Sequence, residues 1–144
     1  MSISENLERI INSLPEKVTL VAVSKTKSAE EILQAYSGGQ RVFGENRIQE
    51  MVDKQGTLPK DIKWHMIGHV QRNKVKYMAP FVSLIHGVDS LRLLQEIDKQ
   101  GQKYGRKLSC LLQVHIAEES NKFGFNGDEL EALVKSGELN KLEH

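Results

Sequence analysis

The chain has 144 residues, 39% hydrophobic and 27% charged, with 20 Lys and Arg against 19 Asp and Glu and a formal net charge of +1. That balance predicts a soluble globular protein with enough chain for one domain, residues 1–144, and no global field drawing it to nucleic acid or a membrane surface. An acidic N-terminus without a long apolar run excludes a signal or transit peptide, no stretch is apolar enough to span a bilayer, and the single Cys110 points to a reducing cytoplasm.

Residues 2–14 carry Ile3, Leu7, Ile10, Ile11 and Leu14 at helical spacing, and Ser2 with Glu5 forms a candidate capping box. Val18–Val23 is a continuous apolar run rich in β-branched residues. It reads as a strand buried on both faces, the habit of parallel sheets. Ser28 with Glu31 opens a second capped helix, striped by Ile32, Leu33 and Tyr36 and stopped by Gly38 and Gly39.

The unit then repeats. A short strand at 41–43 leads into a helix with Ile48, Met51 and Val52. A strand at 63–67 leads into a helix around 71–78. A strand at 81–85 leads into a helix started by Ser90 and carrying Leu91, Leu94 and Ile97. A strand at 108–114 leads through a loop to a helix from Asp128 to Lys135. The strands start roughly every 20–25 residues, a spacing typical of tight βα units. No linker, low-complexity segment or sequence repeat divides the chain.

Two architectures fit five βα units behind a leading helix: an open doubly wound sheet, or part of a (β/α)8 barrel. Every strand ends in polar groups: Ser24 and Lys25, Glu45 and Asn46, Gly68 and His69, His86 with Asp89, and His115. A barrel mouth collects such groups from all its strands, whereas an open sheet concentrates them at one switch point. The pattern favours the barrel.

Among these groups Lys25 stands where an apolar run stops. Alternation puts Thr19, Val21, Val23 and Lys25 on one face, so an inward face would set the ammonium at the mouth above valines. Partial burial there would lower its pKa and free the amine to attack a carbonyl, the requirement for a Schiff base. A solvated lysine after a strand end is the commoner outcome at such a position. Asn46, in RVFGENRIQE, either caps the following helix or binds a ligand at the mouth, and capping is the simpler reading. His65 and His69 are four apart, but Gly68 and the strand context keep them off a common helical face. No acid–histidine spacing for a metal appears. Arg72, Lys74 and Lys76 read as a solvated helix face. The long loop 115–125 brings Lys122 and Gly124 to the active end, where Lys122 would meet an anion or a second carbonyl. Neither GxGxxG nor a Walker lysine motif occurs.

Taken together, VAVSKTK, GGQRVFGENRIQE, IKWHMIGHVQRNK, IHGVDS and LLQVHIAEESNKFGF resemble, in order, the YggS/PROSC family of pyridoxal phosphate homeostasis proteins. The resemblance implies a barrel like the N-terminal domain of alanine racemase, with Lys25 holding pyridoxal 5′-phosphate as a Schiff base. It places Asn46 beside the cofactor and Lys122 at a secondary position near the mouth. Members of the family buffer and deliver the cofactor, and no turnover reaction is established for them. The partners implied are the cofactor and the enzymes that use it. A racemase-like enzyme and a ligand-free structural fragment or designed half-barrel are the alternatives. Members continue through further βα units that carry the phosphate-binding residues, and this sequence stops about where a sixth strand should begin. The resemblance therefore implies a C-terminally truncated, partial barrel of five βα units, with weakened affinity for the cofactor. Its exposed sheet edges would seek a second copy or a complementing chain.

Overall fold

In the computed structural model, which describes residues 2–116 and 124–144, most helices begin where the sequence supplies a side-chain cap. α1 (Ile3–Ser13) and α2 (Ala29–Ser37) open on complete capping boxes. The Ser2 and Ser28 hydroxyls accept the Glu5 and Glu31 amides, and both glutamates accept in return from the serine amides. α3 (Ile48–Thr57) differs: its N-cap is Arg47 and no side chain closes its first turn. A 3₁₀ turn at Arg72–Lys74 runs into the short α4 (Val75–Met78). α5 (Leu91–Lys103) is capped by Ser90, and α6 (Gly127–Ser136) by Asn126.

Between the helices run β1 (Ala22–Val23), β2 (Val42–Glu45), β3 (Lys63–Met66), β4 (Leu84–Val88) and β5 (Cys110–Leu112). They form one sheet in the order β1-β2-β3-β4-β5, with every neighbouring pair parallel. Each strand lies beside its predecessor and the order never doubles back, so the sheet has no switch point. This is the wall of a barrel rather than an open doubly wound sheet. Five strands make a partial barrel.

The two faces of this wall differ. Register aligns Phe43 with Trp64, and Glu45 with Met66, Ile85 and Cys110. This is the helix-covered face, where Phe43, Trp64, Met66 and Ile85 share one core cluster with Met51 of α3, Val75 and Met78 of α4, and Leu93 and Ile97 of α5. Alternation sends Val23, Gly44, His65, Leu84 and Leu111 to the opposite, concave face. That face is open: Val23 is 53% exposed and Leu111 50% exposed.

The edge position of β1 corrects one expectation. The run 18–23 is not a strand buried on both faces. Only Ala22 and Val23 pair, on one side alone, and Val18 is half exposed. β4 begins three residues later than the apolar run at 81–85, because Phe81 and Val82 donate to the Met78 carbonyl and close the turn after α4. β5 is shorter than 108–114: Val114 forms an isolated bridge with Phe125. Among the described residues no helix is long and apolar enough to cross a membrane.

Candidate active site

The C-terminal ends of the five strands lie at one end of the wall, and β1 delivers its polar tip through a tight turn. The Ser24 amide still donates to the Gly44 carbonyl at 2.9 Å, continuing the β1–β2 ladder. Lys27 N–H then donates to the Ser24 carbonyl at 3.1 Å, which closes a four-residue turn with Lys25 and Thr26 at its centre. Thr26 has φ 62°, the left-handed region that a β-branched side chain rarely enters. Such a conformation costs on the order of 1–3 kcal/mol and persists only when its surroundings hold it.

A charged cluster under the turn does so. The Thr26 amide donates to the Glu50 carboxylate at 2.7 Å. Lys54 Nζ donates to Glu50 at 2.7 Å, to both oxygens of Glu45 at 3.0 and 3.1 Å, and to the Ser24 carbonyl at 2.7 Å. The Ser24 hydroxyl donates to Glu45 Oε2, which it shares with Lys54. Glu45 is completely buried and the Lys54 side chain nearly so. The Lys54 ammonium, with the Thr26 amide adding to it, holds the Glu50 carboxyl below its ordinary value of 4.5 against the opposing effect of burial.

Lys25 itself is exposed. Its Nζ has no hydrogen-bond or ion-pair partner among the described residues. The β1–β2 register ends at Val23↔Gly44, and Lys25 follows on the turn just beyond Ser24. The simpler reading of Asn46 as a cap does not hold: Arg47 is the N-cap of α3, and Asn46 contributes no side-chain cap. Gly68 fixes the Asn46 backbone from the β3 side, since a Cβ at Gly68 would run into the Asn46 carbonyl oxygen. Asn46 also borders a cavity of about 280 Å³ with His69, Gln71, Lys74 and Tyr77. Lys25 does not line it, so the cavity and the amine are separate features.

The other strand tips are distributed differently. His69 Nδ1 lies 3.3 Å from Asp89, linking the ends of β3 and β4. His65 pairs instead with His86, Nδ1 to Nε2 at 3.0 Å, on the concave face. The two histidines four apart thus take different partners, and among the described residues no three His, Cys, Asp or Glu side chains gather as a metal site. Arg72, Lys74 and Lys76 are exposed, the last two over the Tyr77 ring. Lys122 lies outside the described residues.

The His65–His86 contact needs one ring nitrogen to donate and the other to accept, so it cannot survive protonation of both rings. Burial, reinforced by His86 and Lys63, holds His65 below its ordinary 6.5, and burial does the same for His86. The unfolded chain therefore binds more protons than the folded one below pH 6.5. Stability is complete above that pH and is lost as pH falls through the folded values. Urea midpoints measured at about pH 7.5 and about pH 5.5 should show a lower midpoint in acid, and His86→Leu should flatten the difference. Equal slopes for wild type and variant would remove the pair as the cause.

The sequence marks Glu45 as a polar strand tip at the mouth and does not single out Glu50 or Lys54. The signal was present in the alternation. Once β2 is extended from Phe43 to Glu45, both fall on the helix-covered face, where a carboxylate requires a cation.

Comparison with known proteins agrees with this geometry. Residues 1–143 match the family model described as alanine racemase, N-terminal domain. The chain is 42% identical to the pyridoxal phosphate homeostasis protein of Bos taurus, covering 81% of this chain and 46% of that protein. It is 35% identical to the pyridoxal phosphate homeostasis protein of Pasteurella multocida, covering all of this chain and 66% of that one. The structure of PipY from Synechococcus elongatus PCC7942 with PLP bound superposes with a TM-score of 0.89 at 36% identity, over 99% of this chain and 66% of PipY. The chain thus spans about half to two thirds of the length of these relatives.

Proposed function

Because the chain belongs to the alanine racemase N-terminal domain family, and within it to the YggS/PROSC group of pyridoxal phosphate homeostasis proteins, we propose that it binds pyridoxal 5′-phosphate through Lys25 and acts as a carrier or buffer of that cofactor. The observation that carries this reading is the placement of Lys25. A primary amine with no partner among the described residues stands at the C-terminal end of the first strand of a barrel wall, on a turn braced from below.

The described residues fit the aldehyde end of the cofactor. The cofactor supplies an aldehyde that condenses with a primary amine. Lys25 offers that amine to the mouth. Asn46, at the end of the neighbouring strand β2 and not used as a cap, is assigned a polar group of the ring. Lys122 is assigned a secondary contact at the mouth. The phosphate end is assigned to segments present in the longer relatives, so the 144-residue chain tested alone binds weakly. The enzymes that use the cofactor are its recipients, the setting is a reducing cytoplasm, and residues 1–144 act as one domain that associates through its sheet edges.

The test is addition of pyridoxal phosphate, reduction with borohydride and peptide mapping. Label concentrated on Lys25, and lost from that peptide in Lys25→Ala, is the expected result. Label scattered over surface lysines, with no preference for Lys25, would overturn the assignment.

A further inference from the structure

Resting on that reading of Lys25, we propose that Glu50 is a positioning residue: its carboxylate clamps the Thr26 amide and so fixes the direction in which the preceding Lys25 side chain leaves the turn. Three contacts converge on the four residues of the turn. Glu50 accepts the Thr26 amide at 2.7 Å. Lys54 donates to the Ser24 carbonyl at 2.7 Å. Glu45 accepts the Ser24 hydroxyl. Lys54 ties the two carboxylates into one unit, so the brace spans β1, β2 and α3.

The clamp has a specific task. Thr26 sits at φ 62°, and a threonine released from its amide contact relaxes toward negative φ. That rotation changes the path of the backbone at Lys25 and so the direction in which the amine leaves the turn. The Thr26 hydroxyl, which donates to the Lys25 carbonyl at 2.6 Å, stiffens the same peptide. Glutamate suits position 50 because one oxygen, Oε2, accepts both the amide and the Lys54 ammonium. The contact is charge-assisted and therefore stronger than a neutral one. A purely stabilising ion pair between residues four apart on a helix would need no third partner.

Two variants and two readouts test this. Glu50→Ala should abolish hydrogen-exchange protection of the Thr26 amide. It should also slow borohydride-trapped labelling of Lys25 by on the order of tenfold or more, within the range that an ångström-scale misplacement costs. Glu50→Gln, which keeps the acceptor, should restore part of both. Adding Thr26→Gly to Glu50→Ala should restore the labelling rate, because glycine takes φ 62° without a clamp. Unchanged amide protection and labelling in Glu50→Ala would overturn the proposal. So would failure of Thr26→Gly to rescue, which would mean that Glu50 acts through general stability. If wild type leaves Lys25 unlabelled, the cofactor reading fails, and the amide protection alone decides whether Glu50 holds the turn.

Discussion

Lys54→Met should destabilise the chain by about 3–5 kcal/mol, the cost of leaving a buried charge without its partner. The Lys54 side chain is only 12% exposed and Glu45 is fully buried, so water cannot replace the missing ammonium around that carboxylate. The loss extends beyond the pair, because the same Nζ satisfies the Ser24 carbonyl and Glu50. Methionine fills the volume of the lysine stem, so the deficit reflects charge and hydrogen bonding rather than a cavity. Glu45→Leu alone should cost less, since Lys54 keeps Glu50 and a path to solvent. The double variant Lys54→Met with Glu45→Leu should recover much of the single loss, as replacement of both buried partners by apolar groups is often close to neutral. Urea denaturation of the four proteins gives the cycle directly. A Lys54→Met loss below about 1 kcal/mol would place the cluster in the class of exposed surface pairs.

Whatever the folding cost, the recovered double variant is informative about the turn. It restores a core under β1 without the Lys54 and Glu45 contacts to Ser24, while Glu50 still accepts the Thr26 amide. Labelling of Lys25 in this variant should therefore stay near that of the wild type and fall only when Glu50 is replaced as well.

The legible parts of this sequence are those governed by local rules. Ser2 with Glu5 and Ser28 with Glu31 announce two helix starts, and both form as complete capping boxes. The polar tips on all five strands point to a barrel, and the unbroken strand order agrees. What could not be read depends on where the sheet ends. Val18–Val23 has the composition of a central strand, yet only Ala22 and Val23 pair, with a neighbour on one side, and Val18 and Val23 are half exposed. The Glu50–Lys54 pair looks like an ordinary solvated pair at helical spacing. Only the long-range approach of the turn above it turns it into a brace. Asn46 shows the reverse error. Local propensity favours it as a cap, but α3 starts one residue later, with Arg47 as its N-cap.

Tested as the 144-residue chain, the protein should self-associate, with a light-scattering mass rising with concentration toward twice 16.3 kDa. The argument lies in the concave face. Val23 and Leu111 are half exposed at opposite edges of the wall, where β1 and β5 each leave one row of backbone groups unpaired within the sheet. Apolar surface bordered by unpaired strand edges is a strong template for a second chain, and a second copy presents the same combination. Leu111→Lys places a charge on that surface at an exposed position, so it should lower the mass toward 16.3 kDa while leaving the urea midpoint nearly unchanged. A mass of 16.3 kDa independent of concentration would rule the face out as an interface. Association surviving Leu111→Lys would move it to the strand edges alone, where backbone pairing rather than burial of valine and leucine supplies the attraction.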